Sequence, residues 1–292
     1  FLMIDVVIIG YGPAGISAGI YLKRQGVHPT IIGKDLGALE GYDDKVENYY
    51  GLVEPIYGKD LIQNGVDQAK NLGIKVITDS VISIKSVESH FEVVTTQTRC
   101  ETKAILLATG KTRRTMKRTG FTQYRGKGIS MCATCDGFFY RRKKVALIGC
   151  GAYMLHELEY LKKMTKDITI FTDGHPLKEA VDVPVVYDKI QKFSGTDKLT
   201  HIETTDQSYE VQGAFIAIGI PSSVEFASQM GVIIEKNNVI VDENYMTNIP
   251  GLFAAGDVIG GKLQIAKAVY DGMNAADAIY SYLHPKKSLV AK

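Results

Sequence analysis

The sequence predicts an α/β protein of two Rossmann-like domains, and three observations predict it. A β-branched run, Ile4–Ile9, leads directly into a glycine turn and a small-residue helix. The same order of strand, glycine turn, helix and strand recurs from Lys144. Between the copies stands a vicinal thiol pair, Cys132-Ala133-Thr134-Cys135, followed at once by Asp136. Self-similarity of this kind sets the domain count before any finer reading. The 292 residues suit two domains of ordinary size. With 45% hydrophobic and 23% charged residues and a net charge of +2, the chain is globular rather than disordered or fibrous. Four cysteines over this length make no disulfide scaffold. The first apolar run is too short for a signal peptide or a membrane span, so the chain reads as cytosolic.

The first copy begins with Ile4–Ile9, the kind of run that forms a strand buried on both faces. Gly10-Tyr11-Gly12-Pro13-Ala14-Gly15 follows, then a helix over residues 16–26. In this G-x-G-x-x-G the first glycine allows a tight turn and the second lets a pyrophosphate approach the backbone. The third lets helix pack on strand, with the helix N-terminus facing the phosphates. A second strand covers residues 29–32. Asp35 then falls about twenty residues past Gly15, where a ribose hydroxyl is met, although a plain turn residue would look the same. Residues 46–51 form a loop, and Leu61, Ile62, Val66, Ala69 and Leu72 give helical spacing over 58–73. Short strands fill 75–100. A strand over 104–107 ends in the small-residue turn Ala108-Thr109-Gly110, which admits close contact with a bound molecule or simply ends a strand.

The composition then turns basic. Lys111, Arg113, Arg114, Lys117, Arg118, Arg125 and Lys127 occur with no acid between Glu101 and Asp136, and Arg141-Arg142-Lys143-Lys144 follows. A domain crossing is expected at 113–117 and a return at 238–241, giving domains 1–114 plus 241–292, and 115–240. The second copy has its strand from Lys144, Gly149-Cys150-Gly151, a helix over 155–164 and the strand Ile168–Phe171. It is degraded. Met154 stands at the third glycine position, where its bulk opposes close packing, and Tyr153 is expected to crowd the mouth of the turn. A strand over 214–218 ends near Gly219 and Pro221. Another, 251–255, ends in Gly256-Asp257, followed by an alanine-rich helix over 264–283 and a polar, basic tail.

Two thiols separated by two residues can close a small disulfide ring, one attacking a partner and the other resolving the mixed disulfide. Asp136 can move the accompanying proton or cap a helix. The alternatives are half of a zinc site or two inert buried thiols. Only Cys100 and Cys150 remain as further thiolate ligands, with no second C-x-x-C and no close histidine pair, so the spacing disfavours zinc.

Taken together, the glycine turn at Gly10, Glu47-Asn48, Ala108-Thr109-Gly110, Cys-Ala-Thr-Cys-Asp, the Ile218-Gly219 turn and Ala255-Gly256-Asp257 resemble the low-molecular-weight thioredoxin reductase family of flavin disulfide reductases. The resemblance implies three-layer ββα domains of that type. An FAD domain is split in sequence around an inserted nicotinamide-nucleotide domain that carries the dithiol, in a homodimer. It implies FAD pyrophosphate contacts from Gly10, Gly12, Pro13, Ala14 and Gly15, and cofactor contact from the Ala108, Thr109 and Gly110 turn. Asp35 would meet the ribose and Asn48 a polar edge on the flavin side. The carboxylate of Asp257, next to the cofactor-contacting Gly256, would meet the ribityl-phosphate region, with Lys262, Leu263, Gln264 and Ile265 beside the isoalloxazine. Leu263 stands where the family usually has arginine. By the same resemblance Cys135 exchanges electrons with the flavin, Cys132 attacks the disulfide of thioredoxin and Asp136 shuttles the proton.

One departure bears on the electron donor. NADPH-binding members carry His-Arg-Arg after the strand corresponding to Ile168–Phe171, and this chain has Thr172-Asp173-Gly174. A carboxylate there repels a 2′-phosphate by about 1 to 4 kcal/mol at ~4 Å. NADH is not excluded by charge, since Asp173 is placed where an acid meets a free ribose, but Met154 and Tyr153 oppose a pyrophosphate cradle. The pattern is similar to the ferredoxin-dependent flavin thioredoxin reductases of clostridia. Ferredoxin is acidic, and the basic run over 103–144 offers it a steering surface, as it would thioredoxin; a solvated loop face is the plain alternative. An NADH-dependent reductase and a flavin-bearing sensor without turnover are the rivals. No basic-aromatic pattern points to nucleic acid and no basic amphipathic helix to a membrane.

Overall fold

The structure is a computed structural model describing residues 3–34, 39, 45–110, 116–131, 133–177, 179–218, 223–236 and 238–285. It divides into two compact units, Phe1–Thr112 with Ser222–Lys292, and Arg113–Pro221. Among the described residues no helix is long and apolar enough to cross a membrane.

The split unit opens with β1 (Ile4–Ile9), α1 (Pro13–Arg24), β2 (Pro29–Gly33), the short pair β3 (Lys45–Val46) and β4 (Ile56–Tyr57), and α2 (Gly58–Asn71). Then come β5 (Lys75–Thr78), β6 (Val81–Val87), β7 (His90–Thr95) and β8 (Arg99–Leu107). The strand order is β5-β2-β1-β8-β7-β6. β1 lies parallel to both neighbours, with Ile9 opposite Ile32 and Leu107. Its side chains alternate between two cores. Val6 and Ile8 pack with Leu22, Ile62 and Val66 of α1 and α2, while Val7 and Ile9 pack with Val81, Ile84, Phe91 and Val93 of β6 and β7. A strand apolar on both sides is what lets a helical layer and a second β layer share it, giving the three-layer unit. α1 starts at Pro13, earlier than the apolar periodicity suggested, because proline at the first helical position has its φ preset and needs no amide partner.

The second unit contains α3 (Phe121–Tyr124), β9 (Ile129–Ser130), α4 (Ala133–Asp136), a 3₁₀ turn (Gly137–Tyr140), β10 (Val145–Ile148), α5 (Ala152–Leu161) and β11 (Ile168–Phe171). β12 (Val185–Val186), β13 (Ile190–Gly195), β14 (Leu199–Thr204), β15 (Ser208–Glu210) and β16 (Gly213–Ile216) complete it. Its parallel sheet runs β12-β11-β10-β16-β9, beside an antiparallel sheet of β13, β14 and β15. α5 begins at Ala152, three residues before the expected start, with Gly151 as its N-cap.

The chain rejoins the first unit through α6 (Ser223–Gln229), β17 (Ile234–Glu235), β18 (Asn238–Val239), β19 (Leu252–Ala254) and α7 (Ile265–Leu283). The return falls at Ser222 rather than at the expected 238–241. Phe226 and Ala227 are the reason, since both are buried in the core that holds Val7, Ile9 and Phe91. β19 pairs parallel with the second half of β8, Ala254 opposite Leu107, and β7 pairs with the first half. α7 packs closely along α1: a Cβ on Gly272 would lie 2.1 Å from the Ala14 carbonyl oxygen, and the Ser17 hydroxyl donates to the Val269 carbonyl at 2.7 Å.

Candidate functional site

In the first unit the carboxyl ends of β1, β8 and β19 meet at three small-residue turns. The Gly10 amide donates to Ile32 at 2.8 Å, the Ala108 amide to Ile9 at 2.8 Å and the Ala255 amide to Leu107 at 3.1 Å. Gly10, at φ +108°, is pressed against the β8 turn; a Cβ there would lie 2.4 Å from the Ala108 oxygen. A Cβ on Gly15 would lie 1.9 Å from the Gly10 oxygen, and one on Gly256 2.9 Å from Ala14 Cβ. Gly10, Ala14, Gly15, Ala108 and Gly256 are thus one packed cluster. Gly12 is the exception: a Cβ there meets nothing within 4 Å. The first turn of α1 begins beside that space, and a helix N-terminus with its unpaired amides, Pro13 supplying none, fits an anionic diphosphate. These are the features a bound dinucleotide requires, so the residues present fit the pyrophosphate of FAD.

Asn48 Nδ2 donates to Gln264 Oε1 at 3.4 Å, joining two of the expected flavin-side residues. Lys262 and Leu263 are exposed and Ile265 half-buried beside them. Thr109, Gly110 and Asp257 close the same set of strand ends. Asp35 lies outside the described residues, as does Gly219.

The Gly256 turn is held by groups that the sequence did not point to. Asp271, 3% exposed, accepts from Lys267 Nζ at 2.7 Å, from the Gly256 amide at 3.1 Å and from the Tyr245 hydroxyl at 3.2 Å. Lys267 also donates to the carbonyls of Gly256 and Gly260, at 3.2 and 2.7 Å. Burial, then the Asp271 charge and its hydrogen bond, push Tyr245 up to about 12. A lone acid among the buried Ala268, Gly272, Ala275 and Ala276 of α7 was the available signal.

In the second unit α4 carries the thiol motif. Cys132 lies outside the described residues; the backbone of Cys135 is in α4. Asp136 stands at the N-cap position of the 3₁₀ turn, but its side chain makes no capping hydrogen bond there; its Oδ2 accepts from the Ser130 hydroxyl at 2.7 Å. Burial, with the Asp136 charge behind it, raises the Tyr140 phenol. Phe138 and Phe139 are 62% and 67% exposed, and the Arg141 guanidinium lies 5.5 Å from the Phe138 ring centre.

The second glycine turn keeps its backbone pattern, with the Gly149 amide on Phe171 at 3.0 Å and the Ala217 amide on Ile148 at 2.8 Å. Tyr153 does not crowd its mouth. The ring is 1% exposed, packed inward with Ala133, Val145 and Leu147, its hydroxyl 3.5 Å from the Met131 carbonyl, and a Cβ on Gly151 meets nothing within 4 Å. Nor does Met154 prevent packing. It is fully buried, its Cβ 3.0 Å from where a Gly149 Cβ would stand, at a position where the first turn tolerates no Cβ at all. The turn is therefore shaped differently from the first.

Asp173, at φ +54°, is committed elsewhere. Its Oδ1 accepts from the Ile190 amide at 2.8 Å and its Oδ2 from Arg118 Nη2 at 3.1 Å. The carboxylate expected to meet a ribose or repel a 2′-phosphate is thus paired with a cation of the basic run. Lys103 is likewise paired, with Asp5 at 2.8 Å, whereas Arg125, Lys127, Arg141, Arg142, Lys143 and Lys144 are exposed.

A family model described as pyridine nucleotide-disulphide oxidoreductase matches residues 4–272. A thioredoxin reductase of Helicobacter pylori is 34% identical, the match spanning 96% of this chain and 99% of that protein. The crystal structure of an atypical thioredoxin reductase from Desulfovibrio vulgaris Hildenborough is 35% identical with a TM-score of 0.86, over 98% of this chain and 100% of that one. A ferredoxin-flavin thioredoxin reductase from Clostridium acetobutylicum is 29% identical with a TM-score of 0.62, over 97% and 98%.

Proposed function

Since the chain belongs to the low-molecular-weight thioredoxin reductase family of pyridine nucleotide-disulphide oxidoreductases, whose members carry FAD, we propose that it draws its electrons from reduced ferredoxin rather than from a pyridine nucleotide. The observation that carries this reading is the fate of Asp173. With Arg118 and the Ile190 amide already on it, the acid at the end of β11 has little left to offer a ribose, and Arg118 is not free to meet a 2′-phosphate. Met154 supports the same reading, because a side chain fills the position where a nucleotide-binding turn wants glycine. The relative named a ferredoxin-flavin reductase adds to it.

FAD, when bound, supplies the link between one-electron donors and a two-electron dithiol couple. In this reading Gly10, Gly12, Pro13, Ala14 and Gly15 hold its pyrophosphate, and Asn48, Gln264 and Asp257 orient it. Two electrons and two protons open the Cys132–Cys135 disulfide. Cys132 as thiolate attacks the disulfide of thioredoxin, and Cys135 displaces the reduced partner from the mixed disulfide. Asp136, held by Ser130, exchanges the proton. The exposed Arg125, Lys127 and 141–144 cations steer acidic partners. By the same reading the enzyme is a homodimer.

A second reading takes NADH as donor, and the open space at Gly151 is the observation in its favour. The test is thioredoxin reduction under nitrogen with chemically reduced ferredoxin, NADPH or NADH as sole donor. Turnover with ferredoxin alone is expected; turnover with either nucleotide at a comparable rate overturns the donor assignment.

A further inference from the structure

α5 follows the glycine turn of the second unit, yet its buried face is fitted to the thiol motif. Tyr153, Glu157, Tyr160 and Leu161, at i, i+4, i+7 and i+8, share one side of the helix. That side tracks the motif from end to end. Tyr153 reaches the Met131 carbonyl at 3.5 Å. Glu157 Oε2 accepts from the Ala133 amide at 2.7 Å, and Gly137 lies so close that a Cβ would stand 3.2 Å from Tyr160 Cε1. Glu157 is 2% exposed. A buried acid is expensive unless its charge or its hydrogen bonds are used, and the amide that it holds is the peptide nitrogen bonded to the Cys132 carbonyl carbon.

We infer that Glu157 is a positioning residue for the dithiol: it anchors the Cys132–Ala133 peptide, and its buried charge holds down the thiolate population of the motif. The inference rests on the motif being the redox centre, as proposed above. A fixed negative charge disfavours a neighbouring thiolate. A dithiol with less thiolate is a stronger reductant, because the reduced form loses that stabilisation. Other titratable groups stand on or beside the motif. Asp136 sits on the motif itself, Tyr140 follows it with a raised phenol, and Tyr153, His156 and Tyr160 stand on α5. Asp136 is held at Ser130. Glu157 alone among the described carboxylates bonds the motif's own backbone.

Charge and anchor can be separated by two substitutions. Glu157→Gln keeps an acceptor oxygen for Ala133 and removes the charge; Glu157→Asp keeps the charge and withdraws the oxygen by one methylene. The readouts are peptide-resolved iodoacetamide alkylation of the reduced holoenzyme across pH, equilibrium with a glutathione buffer, and amide exchange at Ala133. The expected result for Glu157→Gln is about tenfold faster alkylation of the motif at neutral pH, a glutathione equilibrium moved about tenfold toward the reduced dithiol, and unchanged Ala133 exchange. For Glu157→Asp it is faster exchange at Ala133 with a near wild-type alkylation profile. If Glu157→Gln alkylates and equilibrates as wild type does, or, should that variant not retain flavin, if Glu157→Asp leaves Ala133 protection intact, the inference is wrong. A wild-type enzyme whose motif takes up no electrons from the flavin would instead remove the functional reading beneath it.

Discussion

Gly12→Ala separates binding from folding at the first glycine turn. The backbone at Gly12 has φ −68° and ψ −179°, a conformation that any residue adopts, and the added Cβ meets nothing within 4 Å. Replacing a glycine at such a place costs the apoprotein nothing and stabilises it by about 0.4 to 1 kcal/mol through the unfolded chain. That same empty space is where a diphosphate must approach the α1 amides. A methyl group there pushes the phosphate out of reach of roughly two charge-assisted bonds at about 1.5 kcal/mol each, so FAD should bind roughly a hundredfold more weakly. Gly15→Ala is the complement. Its Cβ would stand 1.9 Å from the Gly10 oxygen, so the turn must part by more than an ångström, and both stability and affinity should fall. The assay is quenching of FAD fluorescence on titration with deflavinated protein, beside thermal unfolding of the apoprotein. Gly12→Ala that binds FAD as wild type does would remove the diphosphate from this turn.

Asp271→Asn leaves Lys267 without its counter-charge; with Lys267 partly exposed, the cost should lie near the low end for a broken buried pair, about 3 kcal/mol, lowering Tm by roughly 6 °C, with flavin released earlier in the melt. In the same variant Tyr245 should titrate below the native value of about 12, read from phenolate absorbance, because the Asp271 charge and hydrogen bond both raise it. The sign for stability follows: a phenol raised in the folded state contributes in full below its unfolded value of about 10 and loses that contribution as pH climbs through about 12. Cys135→Ser should keep its yellow colour and its FAD affinity while thioredoxin reduction falls to background; sustained turnover in that variant would remove the thiol pair from the chemistry.

Where a local pattern decides the structure, it was readable. Ile4–Ile9 is apolar at every position because it lies between two layers, and Gly10, Gly12 and Gly15 carry the constraints of a turn that touches β8 and α7. Ile168–Phe171 and the α2 periodicity emerged for the same reason. What escaped depends on long-range packing. Among the described side chains of α6, Phe226 and Ala227 enter the core that holds Val7 and Ile9, too little periodicity to announce that the chain had returned by Ser222. Tyr153 looked like an obstruction at the turn because sequence spacing does not say which way a helix residue faces; the ring points at Met131 instead. Asp173 was read as facing a ligand because Arg118 and the Ile190 amide are distant in sequence. Glu157 and Asp271 did leave a trace. Each is a single acid in a helical stripe otherwise apolar or small, and buried carboxylates of that kind bind something.

The most direct measurement mixes the oxidised flavoprotein without oxygen, in a stopped flow, against reduced ferredoxin, NADPH and NADH in turn, following flavin absorbance. Rapid bleaching by ferredoxin, with the colour unchanged by either nucleotide, is the predicted result. Fast bleaching by NADPH or NADH would contradict the account, since it requires a working nucleotide seat beside Gly149, Met154 and the Arg118–Asp173 pair.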